Sequence, residues 1–91
     1  MKIIRCAMAG TLESSDALVT VEPLQGKIEI EIASVVIKQF GLQIERAVRD
    51  VLAEQGVGQA RIMLNDRGAV ECVIKARVEA AVKRAAEVNE A

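Results

Sequence analysis

The residues best suited to chemistry are two neighbouring hydroxyls, Ser14 and Ser15, set between the carboxylates Glu13 and Asp16 in the segment Gly10-Thr11-Leu12-Glu13-Ser14-Ser15-Asp16. Gly, Ser and Asp tolerate turn geometry or hydrogen-bond their own backbone, so the segment reads as a surface loop with Leu12 as its one apolar anchor. A modifying enzyme needs an exposed hydroxyl on a loop of this kind, and flanking carboxylates suit a metal used in phosphoryl transfer. Serines between acids also make ordinary β-turns, and residue chemistry alone leaves both readings open. Other candidates have plainer explanations. Glu29 and Glu31, two apart on a strand, fall on one solvent face. Asp66-Arg67-Gly68 reads as a turn rather than an anion-binding nest. Gly56-Val57-Gly58 follows a helix, whereas a dinucleotide fingerprint follows a strand. Lys83 and Arg84 complement the dipole of a helix end, or face an acidic partner. Cys6 and Cys72 lack metal-ligand spacing and read as small buried apolar residues.

Composition narrows the chemistry further. The 91 residues include no His, no Trp, no Tyr and one aromatic, Phe40, while 52% are hydrophobic. Without histidine the commonest general base, the Ser-His-Asp and Cys-His arrangements and the usual nitrogen ligands of zinc are all missing. No catalytic residue and no metal site is expected, so any reactive group must be imported. Twelve Lys and Arg against 13 Asp and Glu give a net charge of −1. That balance, with a single aromatic, offers neither the basic face nor the stacking platform of a nucleic-acid binder. Apolar runs such as Val35-Val36-Ile37 fall far short of the ~20 residues of a membrane span. Arg5, Gly10 and Glu13 interrupt any signal-peptide core, so a cytoplasmic location is expected. The length fits one domain over residues 1–91.

The elements that must position the serine loop follow from periodicity. Lys2–Ala9 reads as a strand of poor alternation, Ala17–Val21 as a β-branched strand stopped by Pro23, and Lys27–Ile32 as a strand with three isoleucines on one face. After Ser34, the expected N-cap, the period changes to about 3.6, with Ile37, Phe40, Ile44, Ala47, Val48, Val51 and Leu52 on one stripe. Gly41 interrupts the stripe and Gly56 with Gly58 end it. Gln59–Asn65 alternates as a strand and Asn65–Gly68 is a turn. Residues 69–74 fit strand or helix, but the longer stripe Val70, Val73, Ile74, Val78, Ala81, Val82 and Ala85 favours a helix. The order β-β-β-α-β-α predicts an α+β sandwich: a mostly antiparallel sheet of about four strands with two helices on one face.

The serine loop resembles the G-T-L-E-S-G-D motif of the γ subunit, the acyl carrier protein, of citrate lyase. The likeness extends through Lys38-Gln39-Phe40-Gly41, Asp50-Val51-Leu52-Ala53, Asp66-Arg67-Gly68-Ala69 and Ala76-Arg77-Val78-Glu79-Ala80, nearly the whole chain. The resemblance implies a carrier with a covalent prosthetic group, 2'-(5''-phosphoribosyl)-3'-dephospho-CoA, joined through a phosphodiester to a serine that falls by register on Ser14. It implies recognition or metal-positioning roles for Glu13, Ser15 and Asp16 toward the prosthetic-group transferase. The family's partners are the α subunit (citrate-acyl carrier transferase), which exchanges acetyl for citryl on the thiol, and the β subunit (citryl-acyl carrier lyase), which releases oxaloacetate. Such a chain is not an enzyme on its own. Ser15 departs from the family's usual Gly, which leaves Ser14 and Ser15 as adjacent candidates. The alternatives are the carrier of malonate decarboxylase, whose loop more often reads V-G-S-G-D, and a binding or oligomerisation module without a cofactor.

Overall fold

The computed structural model of the chain describes residues 1–86. The elements are β1 (Ala7–Gly10), β2 (Ala17–Glu22), β3 (Ile28–Ser34), α1 (Ile37–Glu54), β4 (Ala60–Asp66) and α2 (Glu71–Ala85), in the expected order. They form a four-stranded sheet of order β1-β2-β4-β3. β1–β2 and β2–β4 are antiparallel, while β3 and β4 run parallel because α1 crosses from one to the other. Ambiguous residues 69–74 divide into a turn and the first residues of α2.

Alternation sets which sheet face is covered. Ala9, Ala17, Val19, Val21, Ala60, Ile62 and Leu64 are buried, and the helices contribute Ile44, Val48, Leu52, Ile74, Val78 and Val82 to the same core. The opposite face carries Met8, Leu18, Thr20, Met63 and Glu31. Ile28, Ile30 and Ile32 point inward but are only partly buried, since β3 is an edge strand with a neighbour on one side only.

Several expectations are corrected. The first strand covers only Ala7–Gly10, because Ile3 makes an isolated bridge to Ala86 and the Ile4 and Arg5 amides both donate to the Ala85 carbonyl. The N-terminal segment thus binds the end of α2 instead of extending the sheet. Ser34 does not cap α1; the N-cap is Val36, and the Ser34 hydroxyl accepts the Val36 amide (3.1 Å) while donating to Asp66 (2.7 Å). Ile37 and Phe40, expected on the buried stripe, are exposed, and burial begins at Ile44. Cys6 and Cys72 are both exposed, Cys6 ahead of β1 and Cys72 on the solvent side of α2's first turn. Helix α1 runs unbroken through Gly41, despite a propensity cost of about 1 kcal/mol. It ends as expected at Gly56, where φ is +68°. There the Gly56 amide donates to Ala53 and the Val57 amide to Leu52, a Schellman closure that buries Val57.

Sheet register gathers the functional loops. Gly10 pairs with Leu18, Ala17 with Asp66, and Asp66 with Ser34. The β1–β2 loop, the entry to α1 and the entry to α2 therefore share one end of the domain.

Candidate functional site

The serine loop is exposed, yet its backbone, Thr11 and Asp16 are held by hydrogen bonds. The Asp16 amide donates to the Glu13 carbonyl (3.2 Å), closing a four-residue turn with Ser14 and Ser15 at its centre. Ser15 has φ +65°, the left-handed conformation that a type II turn requires at its third residue and that Gly adopts most easily. Thr11 Oγ1 accepts the Glu13 amide (3.2 Å) and donates to Asp16 Oδ2 (2.7 Å). Two bonds to the β4–α2 turn complete the frame: the Ser15 amide donates to the Arg67 carbonyl and the Arg67 amide to the Asp16 carbonyl, both at 2.9 Å.

The Asp16 carboxylate is the hub of these contacts. Arg77 on α2 grips it with two bonds, Nε to Oδ1 at 2.9 Å and Nη2 to Oδ2 at 3.1 Å, and the Ala17 amide adds a third at 2.7 Å. These bonds favour the charged form, so the Arg77 and Thr11 hydrogen bonds hold the Asp16 carboxyl well below the ordinary carboxylate range. Gly10 makes the approach possible. It sits at φ +99°, and a Cβ there would lie 1.8 Å from the Ala17 carbonyl oxygen and 3.2 Å from Arg77 Cδ.

The two serine hydroxyls are the exceptions within the frame. Ser14 is exposed at the head of the turn, and no side-chain hydrogen bond among the described residues engages its hydroxyl or that of Ser15. Glu13 is likewise exposed and has no ion pair among the described residues. Ser15 is exposed too, but its backbone is bound and its conformation is the strained one of the pair. Asp16 has both oxygens committed within the domain. The four candidates thus lie together: Asp16 holds the loop, and Ser14 and Glu13 face outward from it. No group of three or more potential metal ligands occurs among the described residues.

Arg77 and Arg67 escaped sequence reasoning. Arg77 lies 61 positions from Asp16 and looked like one of several cations on a solvated helix face. Arg67 acts through its backbone, which leaves no mark in residue type. The buried Asp66, expected in a turn, closes β4; its Oδ1 accepts the Ala69 amide (2.9 Å) and its Oδ2 the Ser34 hydroxyl, tying the entries of both helices together.

A pinned loop on a small mixed sheet, presenting two adjacent free hydroxyls at an exposed turn, is the arrangement of a domain that offers an attachment point. The family model described as ACP, malonate decarboxylase delta subunit (MdcD), matches residues 4–85, and the chain belongs to this acyl carrier family. The citrate lyase acyl carrier protein of Pectobacterium atrosepticum is 53% identical over 87 residues, covering 96% of this chain and 91% of the relative. The citrate lyase acyl carrier protein of Escherichia fergusonii is 52% identical over 91 residues, covering 99% and 94%. A chain in the crystal structure of a Pseudomonas malonate decarboxylase hetero-tetramer in complex with malonate shares the fold. Its TM-score is 0.78 at 22% identity, over 94% of this chain and 93% of that one. No helix among the described residues is long and apolar enough to cross a membrane.

Proposed function

We propose that this chain is the acyl carrier subunit of citrate lyase, with Ser14 as the attachment residue for phosphoribosyl-dephospho-CoA. The observation that carries the proposal is the exposed Ser14 hydroxyl at the head of a backbone-pinned turn: like the Ser15 hydroxyl it has no hydrogen-bond partner among the described residues, but unlike Ser15 its residue is not held in the left-handed conformation. The residues present fit such a group: Ser14 Oγ would attack the phosphorus of an activated (phosphoanhydride) form of it, losing its proton as the bond from that phosphorus to the departing phosphate breaks, and nothing in the frame has to be broken for that oxygen to react. When bound, the group supplies a terminal thiol on which acyl groups travel as thioesters.

The chain's own contribution is presentation. Asp16, Thr11 and Arg77 fix the turn, the Arg67 backbone fixes its side, and Ser14 points away from the core. Tethering makes encounters with successive active sites intramolecular, at effective concentrations on the order of millimolar. Glu13 is the outward carboxylate available to the transferase, while Asp16 acts through the loop's shape. The partners in this reading are the α and β subunits of citrate lyase and the transferase that installs the group, in the cytoplasm.

Intact-mass measurement of the chain co-expressed with its modifying enzymes tests the reading. One prosthetic-group adduct is expected, absent from Ser14→Ala and retained in Ser15→Ala. An unmodified parent chain, or an adduct that survives Ser14→Ala, rejects it. The second reading, the carrier of malonate decarboxylase, draws support from the family model's description and from the structural neighbour. It predicts that the loaded chain complements a malonate decarboxylase lacking its carrier and leaves a citrate lyase lacking its carrier inactive.

A further inference from the structure

Apart from Met1, Ile4 and Met8, the large apolar side chains that the core leaves exposed gather toward the serine end. Leu12, Val35, Ile37, Phe40, Leu42 and Val70 are all exposed, and all lie in or beside the three loops that meet there. Leu42 is 81% exposed, Val35 68%, Phe40 48% and Ile37 43%. Monomeric domains seldom concentrate exposed apolar groups in this way unless something covers them.

The charges in the same stretch point in one direction. Lys38, Leu42 and Arg46 follow each other at i, i+4 spacing along one ridge of α1. Neither cation has a carboxylate partner among the described residues, whereas Glu45 and Arg49 pair with each other. The first turn of α1 holds a lysine and no acid, the reverse of what the helix dipole favours. Gly41 adds a local helix cost, and what its missing Cβ makes room for is the exposed Ile37 side chain, whose Cδ1 would lie 3.1 Å from a Cβ there. Breaches of local preference without internal compensation mark a surface shaped for something outside the chain.

The open sheet face, the other candidate, exposes Met8 but differs in its charges and in the rest of its apolar groups. Arg61 pairs with Glu31 (3.3 Å) and Lys27 with Glu29 (3.8 Å), no cation there stands without a carboxylate among the described residues, and Leu18 and Met63 are partly covered by their neighbours. It also extends along the strands, away from Ser14.

We infer that the first half of α1 and the residues before it, centred on Leu42 with Lys38 and Arg46, dock an apolar patch rimmed by carboxylates on the catalytic subunits that the carrier serves. The inference rests on the carrier reading above and adds to it the surface of contact. Docking beside the attachment loop brings Ser14 to the mouth of the partner's active site while leaving the loop itself unburied. The apolar centre supplies affinity and the two cations supply orientation and approach rate.

Binding of the modified chain to each purified catalytic subunit tests this, with Leu42→Asp, Lys38→Glu with Arg46→Glu, and Ser14→Ala as variants. Leu42→Asp is expected to weaken binding about tenfold or more. The double charge reversal is expected to slow association and to flatten or invert its salt dependence. Ser14→Ala is expected to bind the subunit surface nearly as well as the parent. Each substituted side chain is exposed; circular dichroism confirms that all the variants fold, and adduct mass confirms that the Leu42 and charge-reversal variants are loaded while Ser14→Ala is compared with the unloaded parent. Unchanged binding by Leu42→Asp and by the charge reversal overturns the inference. So do amide resonance changes on the open sheet face alone, around Met8, Leu18 and Met63. Conversion of a self-associated parent into a monomer by Leu42→Asp also overturns it, because a second copy then covers the patch. Failure of the carrier reading shows separately, as a parent chain without adduct.

Discussion

The covered face of the sheet and the serine loop at its end lie a few residues apart and are held by opposite physics. The core is aliphatic: Val19, Val21, Leu52, Ile62, Val78 and Val82 are almost wholly removed from water, and none carries a charge. The loop has almost no apolar content and is fixed by hydrogen bonds converging on one carboxylate. Burial is nondirectional and gives stability without specifying where a single atom sits. Charge-assisted hydrogen bonds contribute less stability at a surface, but they fix direction. The fold thus uses one kind of interaction to remain folded and the other to hold the shape of the serine turn.

The largest break in that contrast is expected from the core. Leu52→Ala removes a fully buried side chain where α1 meets the sheet and closes at its Schellman turn, and should destabilise the chain by about 2–5 kcal/mol. Denaturant unfolding measures this, and the surviving folded fraction should still be modified at Ser14 at the parent's rate.

Loss of the arginine should act the other way round. Arg77→Met keeps the stem across the loop and removes both bonds to Asp16. Amide exchange at Ser15 and Ala17 should accelerate on the order of tenfold, with the denaturation midpoint little changed. Acid sharpens the same point. The folded Asp16 carboxyl is held below its ordinary value of 3.8, chiefly by Arg77. Its contribution is therefore complete above the unfolded value and is lost only as pH falls through the depressed folded one. Protection of the Ser15 amide should persist in the parent down to about pH 3. In Arg77→Met it should fade at a higher pH, nearer the ordinary carboxylate range. Parent protection fading at that higher pH would show that the pair does not fix the loop.

Ser15→Gly is the smallest of these effects. Gly relieves the left-handed conformation but gives up some unfolded-state restriction, for a net gain of at most about 1 kcal/mol. A clear loss of stability in thermal unfolding would mean that Ser15 makes contacts that outweigh its backbone strain.

Element order was legible because each element carries a strong local pattern. The Lys27–Ile32 alternation marks β3, the 3.6 stripe from Ile44 onward marks α1, and Gly56 marks its end. Patterns misled where a partner was missing or unexpected. Ile37 and Phe40 fit the helical stripe, but the stripe leaves the core before reaching them. Lys2–Ala9 has strand composition, but its first residues bond to Ala85 and Ala86, which no local rule could reveal. Cys6 and Cys72 are of a type usually buried, and their exposure follows from where their elements face.

At the site, the division is clearer still. Residue type and spacing alone determined that the chain has no histidine and a single aromatic, and that two hydroxyls between acids sit on a loop after a glycine. They also determined the alternations that build one sheet and two helices, because turn preference and hydrophobic period are properties of neighbouring residues. Only the tertiary structure decided that Arg77 and the Arg67 backbone reach the loop and that Asp16 works inward while the two serine hydroxyls are left without partners among the described residues. It also decided that the entries of both helices share the serine end. Those facts depend on residues brought together from distant parts of the chain by sheet register and helix packing, and a local sequence pattern does not encode such distances.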